Sequence, residues 1–309
     1  MSATLEQYRR SRVLVTGATG YLGSAVVARL RRLDADVIAA PRDVFVRPDT
    51  APQVAACDIV FHLASNTSVP AAEADPEASL RSTVGAVSHL AALAERLGRC
   101  PRVVFTSTAT VYGVTDGGVD EEAPPAPSTI YDEHKWHAER ALMAATRDGR
   151  LDAITLRLAN VYGHGPAVER SADRGFLNRA IREAKAGTDL VVYGDGRYRR
   201  DFVHLDDVVE ALLLAGVAAA PASRCYNVGT GIGTPVRDAL ELVARTAKDV
   251  CGRTVRVRSV EWPGSARPID RRSYAARIER IARELGWTPG VALDAGIRRT
   301  LEAGAVPCV

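Results

Sequence analysis

Lysine is nearly missing from this chain of 309 residues: of its 40 basic residues only Lys135, Lys185 and Lys248 are lysines. A lysine in a chemically meaningful place is therefore less readily an accident. Cysteine is scarce too, and Cys57, Cys100, Cys225, Cys251 and Cys308 are scattered. No pair has C-x-x-C spacing and no Cys/His cluster has zinc spacing, so neither a metal site nor a disulfide framework is expected. Charge of one sign is lacking, with a net of only +3; that gives no footing for a nucleic-acid groove or a membrane surface. No apolar run approaches the ~20 residues that span a bilayer. The opening MSATLEQYRRSR is polar, reads as running straight into a strand, and does not resemble a signal peptide. A soluble cytoplasmic protein, binding neither nucleic acid nor membrane, is the expectation.

What is present is an alternation of two periods. RVLVTG (12–17), ADVIAA (35–40), CDIVFHLA (57–64), RVVFTST (102–108) and AITLRLANVYG (153–163) are β-rich runs. Between them lie helical patterns at 21–33, about 77–97 and about 132–147. Such alternation predicts an α/β fold, a doubly wound parallel sheet covered on both faces, with ligands at the carboxyl ends of its strands. The second half is less regular, with helical patterns at 174–187, 204–219 and 278–290 and a strand and turn at 190–196. The expected organisation is a nucleotide-binding domain over 1–160 and a smaller, mainly substrate-binding lobe over 161–309, with segments near 190–220 returning to the first domain.

Gly17, Gly20 and Gly23 follow the first strand and open the first helix in VLVTGATGYLG. Glycines allow a tight turn and close approach of a pyrophosphate, and the free N–H groups and dipole of the helix start favour its charge. The spacing is G-x-x-G-x-x-G, not the G-x-G-x-x-G of the dinucleotide fingerprint. At the end of strand two an acidic residue would accept hydrogen bonds from the ribose of NAD, whereas an arginine suits the 2′-phosphate of NADP. VIAAPRD has Pro41 where the acid would stand and Arg42 next, which favours NADPH; Asp43 keeps NAD possible.

Tyr131 and Lys135 lie four apart at the start of a predicted helix, on one face. A phenol titrates near ~10, and a neighbouring ammonium stabilises the phenolate and brings it into a useful range. With three lysines and nine tyrosines in the chain, chance supplies such a pair about one time in ten. The VVFTSTATVYG strand (103–113) ends in hydroxyl residues about 20 positions earlier, so Thr108 can meet the substrate oxygen that Tyr131 protonates or deprotonates; Thr106 and Ser107 can equally just end the strand. His62, His134 and His137 have no partner at catalytic or metal spacing, and read as structural or surface residues, His62 beside the expected nicotinamide pocket.

In order along the chain, TGATGYLG (16–23), DIVFHLAS (58–65), TSTATVYG (106–113), Tyr131-x-x-x-Lys135, LRLANVYG (156–163), GDGRYRRDFVHLDDVVEAL (194–212), YNVGTG (226–231), RPID (267–270) and ELGWTP (284–289) resemble the extended short-chain dehydrogenase/reductase family, in its nucleotide-sugar epimerase, dehydratase and ketoreductase branch. The resemblance implies a Rossmann fold with Thr108, Tyr131 and Lys135 as catalytic residues. It implies that Gly17, Gly20, Tyr21, Leu22, Gly23, Leu63, Ala64, Ser65 and Lys135 meet the dinucleotide, with Ser82 where the family carries asparagine. It implies that Ser107, Asn160, Arg200 and Arg267 bind a nucleotide-diphosphate sugar, the arginines suiting phosphate oxygens, and that the chain is a homodimer through helices near 80–97 and 132–147. Ala109 and Thr110 stand where the elimination enzymes carry an acid, so elimination is not expected. The short segment 41–56 resembles the NADPH-using ketoreductases. The reading is NADPH-dependent reduction of a keto group, at C4, of a nucleotide-linked deoxysugar; an NAD-dependent 4-epimerase is the near alternative, and a non-catalytic nucleotide-binding scaffold the distant one.

Overall fold

The computed structural model describes residues 3–40, 54–65, 68–166 and 175–303. Arg42 and Asp43 lie outside the described residues. The strands, in chain order, are β1 (Arg12–Thr16), β2 (Asp36–Ala40), β3 (Ile59–His62), β4 (Arg102–Thr108), β5 (Asp116–Val119), β6 (Asp152–Leu158), β7 (Asn160–Tyr162), β8 (Leu190–Tyr193), β9 (Arg199–His204), β10 (Cys225–Val228), β11 (Gly233–Pro235), β12 (Val257–Val260) and β13 (Ser273–Ala276). Six form one sheet in the order β10-β6-β4-β3-β1-β2, and every pairing in it is parallel. The order reverses between β1 and β3. In open sheets of this kind, ligands bind outside the carboxyl ends of the strands at such a switch point.

Period-two alternation divides the sheet's side chains between two cores. Val13 and Val15 of β1 join Phe61 and Val104 on one face, packed under α1 (Tyr21–Arg32). Leu14 joins Val60, Val103 and Phe105 on the other. Across that second face lie α2 (Val69–Ala74), α3 (Pro76–Leu80), α4 (Ala86–Arg96) and α5 (Ile130–Arg147). With both faces covered, β1, β3 and the first half of β4 read as largely apolar runs, as a parallel sheet requires.

The remaining helices are α6 (Phe176–Ala186), α7 (Leu205–Val217), α8 (Val236–Cys251), α9 (Glu279–Leu285) and α10 (Leu293–Glu302). Of the stretch near 190–220, α7 packs beneath the six-stranded sheet beside α1, while β8 pairs with β12 outside it. A third core unites α6, α8 and α10 with Tyr162, Leu190, Val192 and Phe202.

Three local expectations change. The N-terminus does not run straight into β1: Ala3–Arg10 forms a 3₁₀ helix, because Leu5 and Tyr8, three apart, bury against the core and the Tyr8 phenol donates to the Leu213 carbonyl at 2.6 Å. The helix expected over 77–97 contains a π turn at Arg81–Gly85. The run 153–163 splits at Ala159, so that β6 stays in the sheet and β7 leaves it to pair with β9. That break carries the chain from one half of the molecule to the other.

Candidate active site

β1 ends at Thr16 and hands over to the glycine turn. Gly17 has φ +67°, and a Cβ there would stand 2.9 Å from the Ala64 nitrogen. A Cβ on Gly23 would stand 2.1 Å from the Gly17 carbonyl oxygen, so both positions admit only glycine. Gly20 caps α1 with no side-chain hydrogen bond, and the first turn holds no acidic residue. The first N–H groups of α1 are left for an anion. Ser65 and Ser107 each bury a hydroxyl with no hydrogen-bond partner in the protein, and Ser107 shares the α5-facing side of β4 with Phe105. A glycine cradle, an uncapped helix start and orphaned hydroxyls fit a dinucleotide.

Thr16 organises the adjoining loop. Its hydroxyl accepts from the Leu63 and Ala64 N–H groups at 3.2 and 3.1 Å. Both lone pairs being used, its proton goes to His62 Nδ1 at 2.9 Å. His62 is held neutral, its pKa pushed down to about 3 by burial and by the charge of Lys135. It stacks on Phe105 at 5.7 Å between centroids. The Tyr21 phenol donates to the Gly163 carbonyl at 2.7 Å and accepts from Asn178 at 3.2 Å, tying α1 to the loop after β7; Leu22 packs against the core. The Ser82 hydroxyl, in the π turn, donates to the Ser79 carbonyl at 3.2 Å.

α5 begins at Thr129, whose hydroxyl accepts from the Asp132 N–H at 3.2 Å. That cap sets Tyr131 in the first turn, half-buried, and Lys135 one turn on. The Lys135 ammonium donates to the Thr106 carbonyl at 2.7 Å and lies 4.6 Å over the Phe105 ring. Burial pushes its pKa down to about 7, with Glu139 opposing. Thr108, the last residue of β4, accepts from the Thr110 N–H at 3.2 Å, and the two hydroxyls lie 2.8 Å apart. Thr110 in turn donates to the Asp132 carboxylate, as does Thr129 at 2.7 Å. The end of β4 and the start of α5 are thus pinned together by a hydroxyl–carboxylate chain that sequence reasoning missed; its one signal was the acid directly after Tyr131 and three after Thr129. His134 is buried against Ser79 at 2.9 Å, joining helices, and His137 is exposed.

A cavity of about 810 Å³ lies in the second half, where Asn160, Arg200 and Arg267 converge with Tyr193, Trp262 and Asp270. Asn160 donates to the Asp201 carbonyl at 3.2 Å. The Arg200 guanidinium is nearly buried and donates to the carbonyls of Arg199 (3.0 Å), Asp270 (2.7 Å) and Arg272. Burial and the charge of Arg272 lower its pKa to about 10, so it stays cationic at neutral pH. Arg267 pairs with Glu73 of α2 across the two halves. Burial raises the pKa of the Asp132 carboxyl, and its hydrogen bonds from Thr110 and Thr129 and the charges of Arg272 and Arg267 oppose that rise. The stacked rings of Tyr193 and Trp262, 5.3 Å apart, had no signal in the sequence pattern.

Two buried aspartates explain the motifs of the second half. Asp201, next to Arg200, takes four hydrogen bonds of 2.7–3.1 Å from Thr230, Gly231 and Ala276, so RRDFVH is clamped to YNVGTG. Asp207 accepts from the Gly290 and Val291 N–H groups at 2.9 and 3.1 Å, and its carbonyl accepts from the Trp287 indole at 2.9 Å, clamping HLDDVV to ELGWTP. Among the described residues no group of three or more His, Cys, Asp or Glu side chains is arranged for a metal ion.

The model of the NAD dependent epimerase/dehydratase family matches residues 13–229. A UDP-glucose 4-epimerase of Mycolicibacterium smegmatis is 30% identical, over 94% of this chain and 97% of that protein. A dTDP-glucose 4,6-dehydratase of Streptomyces griseus is 31% identical, over 94% and 92%. The solved structure of MoeE5 in complex with UDP-glucose and NAD is 30% identical, with a TM-score of 0.82 over 94% of this chain and 97% of that one.

Proposed function

The chain belongs to the NAD dependent epimerase/dehydratase family, and we propose that it transfers hydride at a ring carbon, C4, of a nucleotide-diphosphate sugar, with 4-epimerisation as the first reading. Support for C4 comes from full-length likeness to a UDP-glucose 4-epimerase and a dTDP-glucose 4,6-dehydratase. Gly17, Gly20, Tyr21, Leu22, Gly23, Leu63, Ala64, Ser65 and Ser82 would line the dinucleotide, NAD(P), with Arg42 at its ribose end. When bound, the dinucleotide accepts hydride from a carbinol carbon or returns it to a carbonyl carbon. Tyr131 takes the hydroxyl proton as hydride leaves and gives it back as hydride returns. Thr108 holds the same oxygen. Lys135 supplies the neighbouring positive charge and anchors the ribose. Asn160, Arg200 and Arg267 hold the diphosphate, and Ser107 meets the sugar. The observation that carries the reading is the joining of Thr108 to the Tyr131–Lys135 turn through Thr110 and Asp132. Ala109 and Thr110, in place of an acid, argue against elimination as the outcome.

The NADPH-dependent ketoreductase, the first expectation from the sequence, becomes the second reading; Arg42 and the short segment 41–56 favour it. Incubating the purified protein with UDP-glucose, without added coenzyme, tests the order. Formation of the C4 epimer supports epimerisation; NADPH consumed with dTDP-4-keto-6-deoxyglucose, and no epimer, reverses the order; neither reaction rejects the proposal. The same reading carries a homodimer through α3, α4 and α5, where Leu80 and Met143 expose apolar side chains.

A further inference from the structure

Tyr21, Gly163 and Asn178 close a ring of three hydrogen bonds. The Tyr21 phenol donates to the Gly163 carbonyl at 2.7 Å. The Gly163 N–H donates to the Asn178 side-chain oxygen at 2.9 Å, and the Asn178 amide donates to the phenol oxygen at 3.2 Å. All three residues are buried. Gly163 takes φ +121°, and a Cβ there would stand 2.8 Å from His204 Nε2, so it offers its peptide groups from a backbone that suits glycine alone. Burial raises the phenol's pKa above the ordinary range, so its proton stays in the ring at neutral pH.

The ring joins parts of the chain that face different ligands. Tyr21 is the first residue of α1, the helix whose first N–H groups are left for an anion. Gly163 follows β7, which carries Asn160 into the lining of the large cavity. Asn178 lies in α6, which sets Phe176, Arg179, Ala180 and Glu183 along the same cavity. α1 also packs beside α7 through apolar side chains, but such contacts have no direction of their own. Hydrogen bonds fix distance and angle.

We propose that Asn178 and the Tyr21 phenol are positioning residues that couple the two sites, so that a dinucleotide at the glycine turn raises the affinity for a nucleoside diphosphate in the cavity, and the reverse. The coupling rests on the placement of both ligands proposed above. A buried ring opens or closes as a unit, because one broken bond leaves buried groups unpaired. With the α1 N–H groups given to a pyrophosphate, Tyr21 is held in place, and the closed ring then holds Gly163 and α6. The second ligand meets a cavity wall already ordered. The ordering cost falls once for two ligands, which is positive cooperativity, and linkage makes the effect equal in both directions.

The test compares the wild type, Tyr21→Phe and Asn178→Leu, each freed of co-purified nucleotide. UDP is titrated by calorimetry with and without saturating NADH, or NADPH where that is the coenzyme bound; the ratio of the two dissociation constants is the coupling factor. In the wild type UDP is expected to bind about three- to tenfold tighter in the coenzyme complex, the value of about one hydrogen bond. Each variant should bring the factor close to one, and the double variant should do no more, since both changes cut one ring. A purely structural role would lower the melting temperature and leave the ratio alone. A wild-type factor of one, or the wild-type factor kept in either variant, overturns the proposal. Should Asn178→Leu fail to fold, Tyr21→Phe decides, because it removes a single oxygen. Where coenzyme resists removal, UDP should slow its release by a similar factor in the wild type and not in the variants; equal slowing in all three overturns the proposal. Failure of the wild type to bind UDP, or to bind either coenzyme, rejects the proposed function together with this coupling. Binding of both, with a factor that ignores the variants, rejects the coupling alone.

Discussion

Lys135 reaches back 29 positions to give its ammonium to the Thr106 carbonyl at 2.7 Å, so the only lysine of α5 is held against the strand that ends in Thr108. Burial weakens the charge it brings, and this has a consequence for stability. The folded lysine releases its proton at about 7, the unfolded one near ~10.4. Between those values the unfolded chain holds the extra proton, so raising the pH favours the folded state, by up to about 1.4 kcal/mol per pH unit. Below pH 7 both states are charged and the burial penalty is fully present. Lys135→Met is therefore expected to be more stable than wild type at pH 7 in urea unfolding, with the gap closing as pH rises toward 10, while hydride transfer is lost. A gap that does not change with pH contradicts the assignment.

At Gly17 an alanine meets both a left-handed φ and the Ala64 backbone. Gly17→Ala is expected to destabilise the fold by about 1–3 kcal/mol and to abolish co-purification of the dinucleotide, measured by mass spectrometry of the released nucleotide. Retention of bound coenzyme would remove the turn from the cofactor site.

Arg267 and Arg200 should fail differently. Arg267 is partly exposed and its side chain pairs with Glu73, so Arg267→Ala should weaken UDP binding about tenfold or more with little change in melting temperature. Arg200 donates to three backbone carbonyls, and Arg200→Lys should lose both binding and stability, because an ammonium cannot reproduce the fork. Glu73→Gln frees Arg267 and should tighten UDP by a few-fold; weaker binding contradicts that competition.

Met143 is 54% exposed on α5. If α3–α5 form the dimer face, the wild-type melting temperature rises with protein concentration, and Met143→Glu shifts the protein toward monomer in sedimentation and weakens that dependence; unchanged sedimentation contradicts the dimer face.

Much of this was legible in the sequence, for identifiable reasons. The parallel sheet shows because both faces are buried, leaving β1, β3 and β4 as apolar runs between helical periods. Gly17 shows because its φ leaves few substitutes. Lys135 shows because lysine is rare here. The Rossmann frame and the family followed from ordered motifs, yet the motifs of the second half turn out to be held by Asp201 and Asp207, acids that clamp loops rather than touch a reaction. What was not legible depends on long-range packing. Tyr8 buries against Phe61 of β3 and bonds to Leu213 of α7, both far along the chain. Thr108 and Asp132, joined through Thr110, are 24 positions apart, and no local period encodes that meeting.

The most direct measurement of the central claim is stopped-flow hydride transfer in Tyr131→Phe, read as absorbance at the reduced nicotinamide band after mixing coenzyme-loaded protein with UDP-glucose. With UDP affinity and melting temperature unchanged, the rate should fall about 100- to 10,000-fold, the range that a positioned acid/base supplies. A rate within a few-fold of wild type would contradict the assignment of Tyr131 as the proton-transfer group.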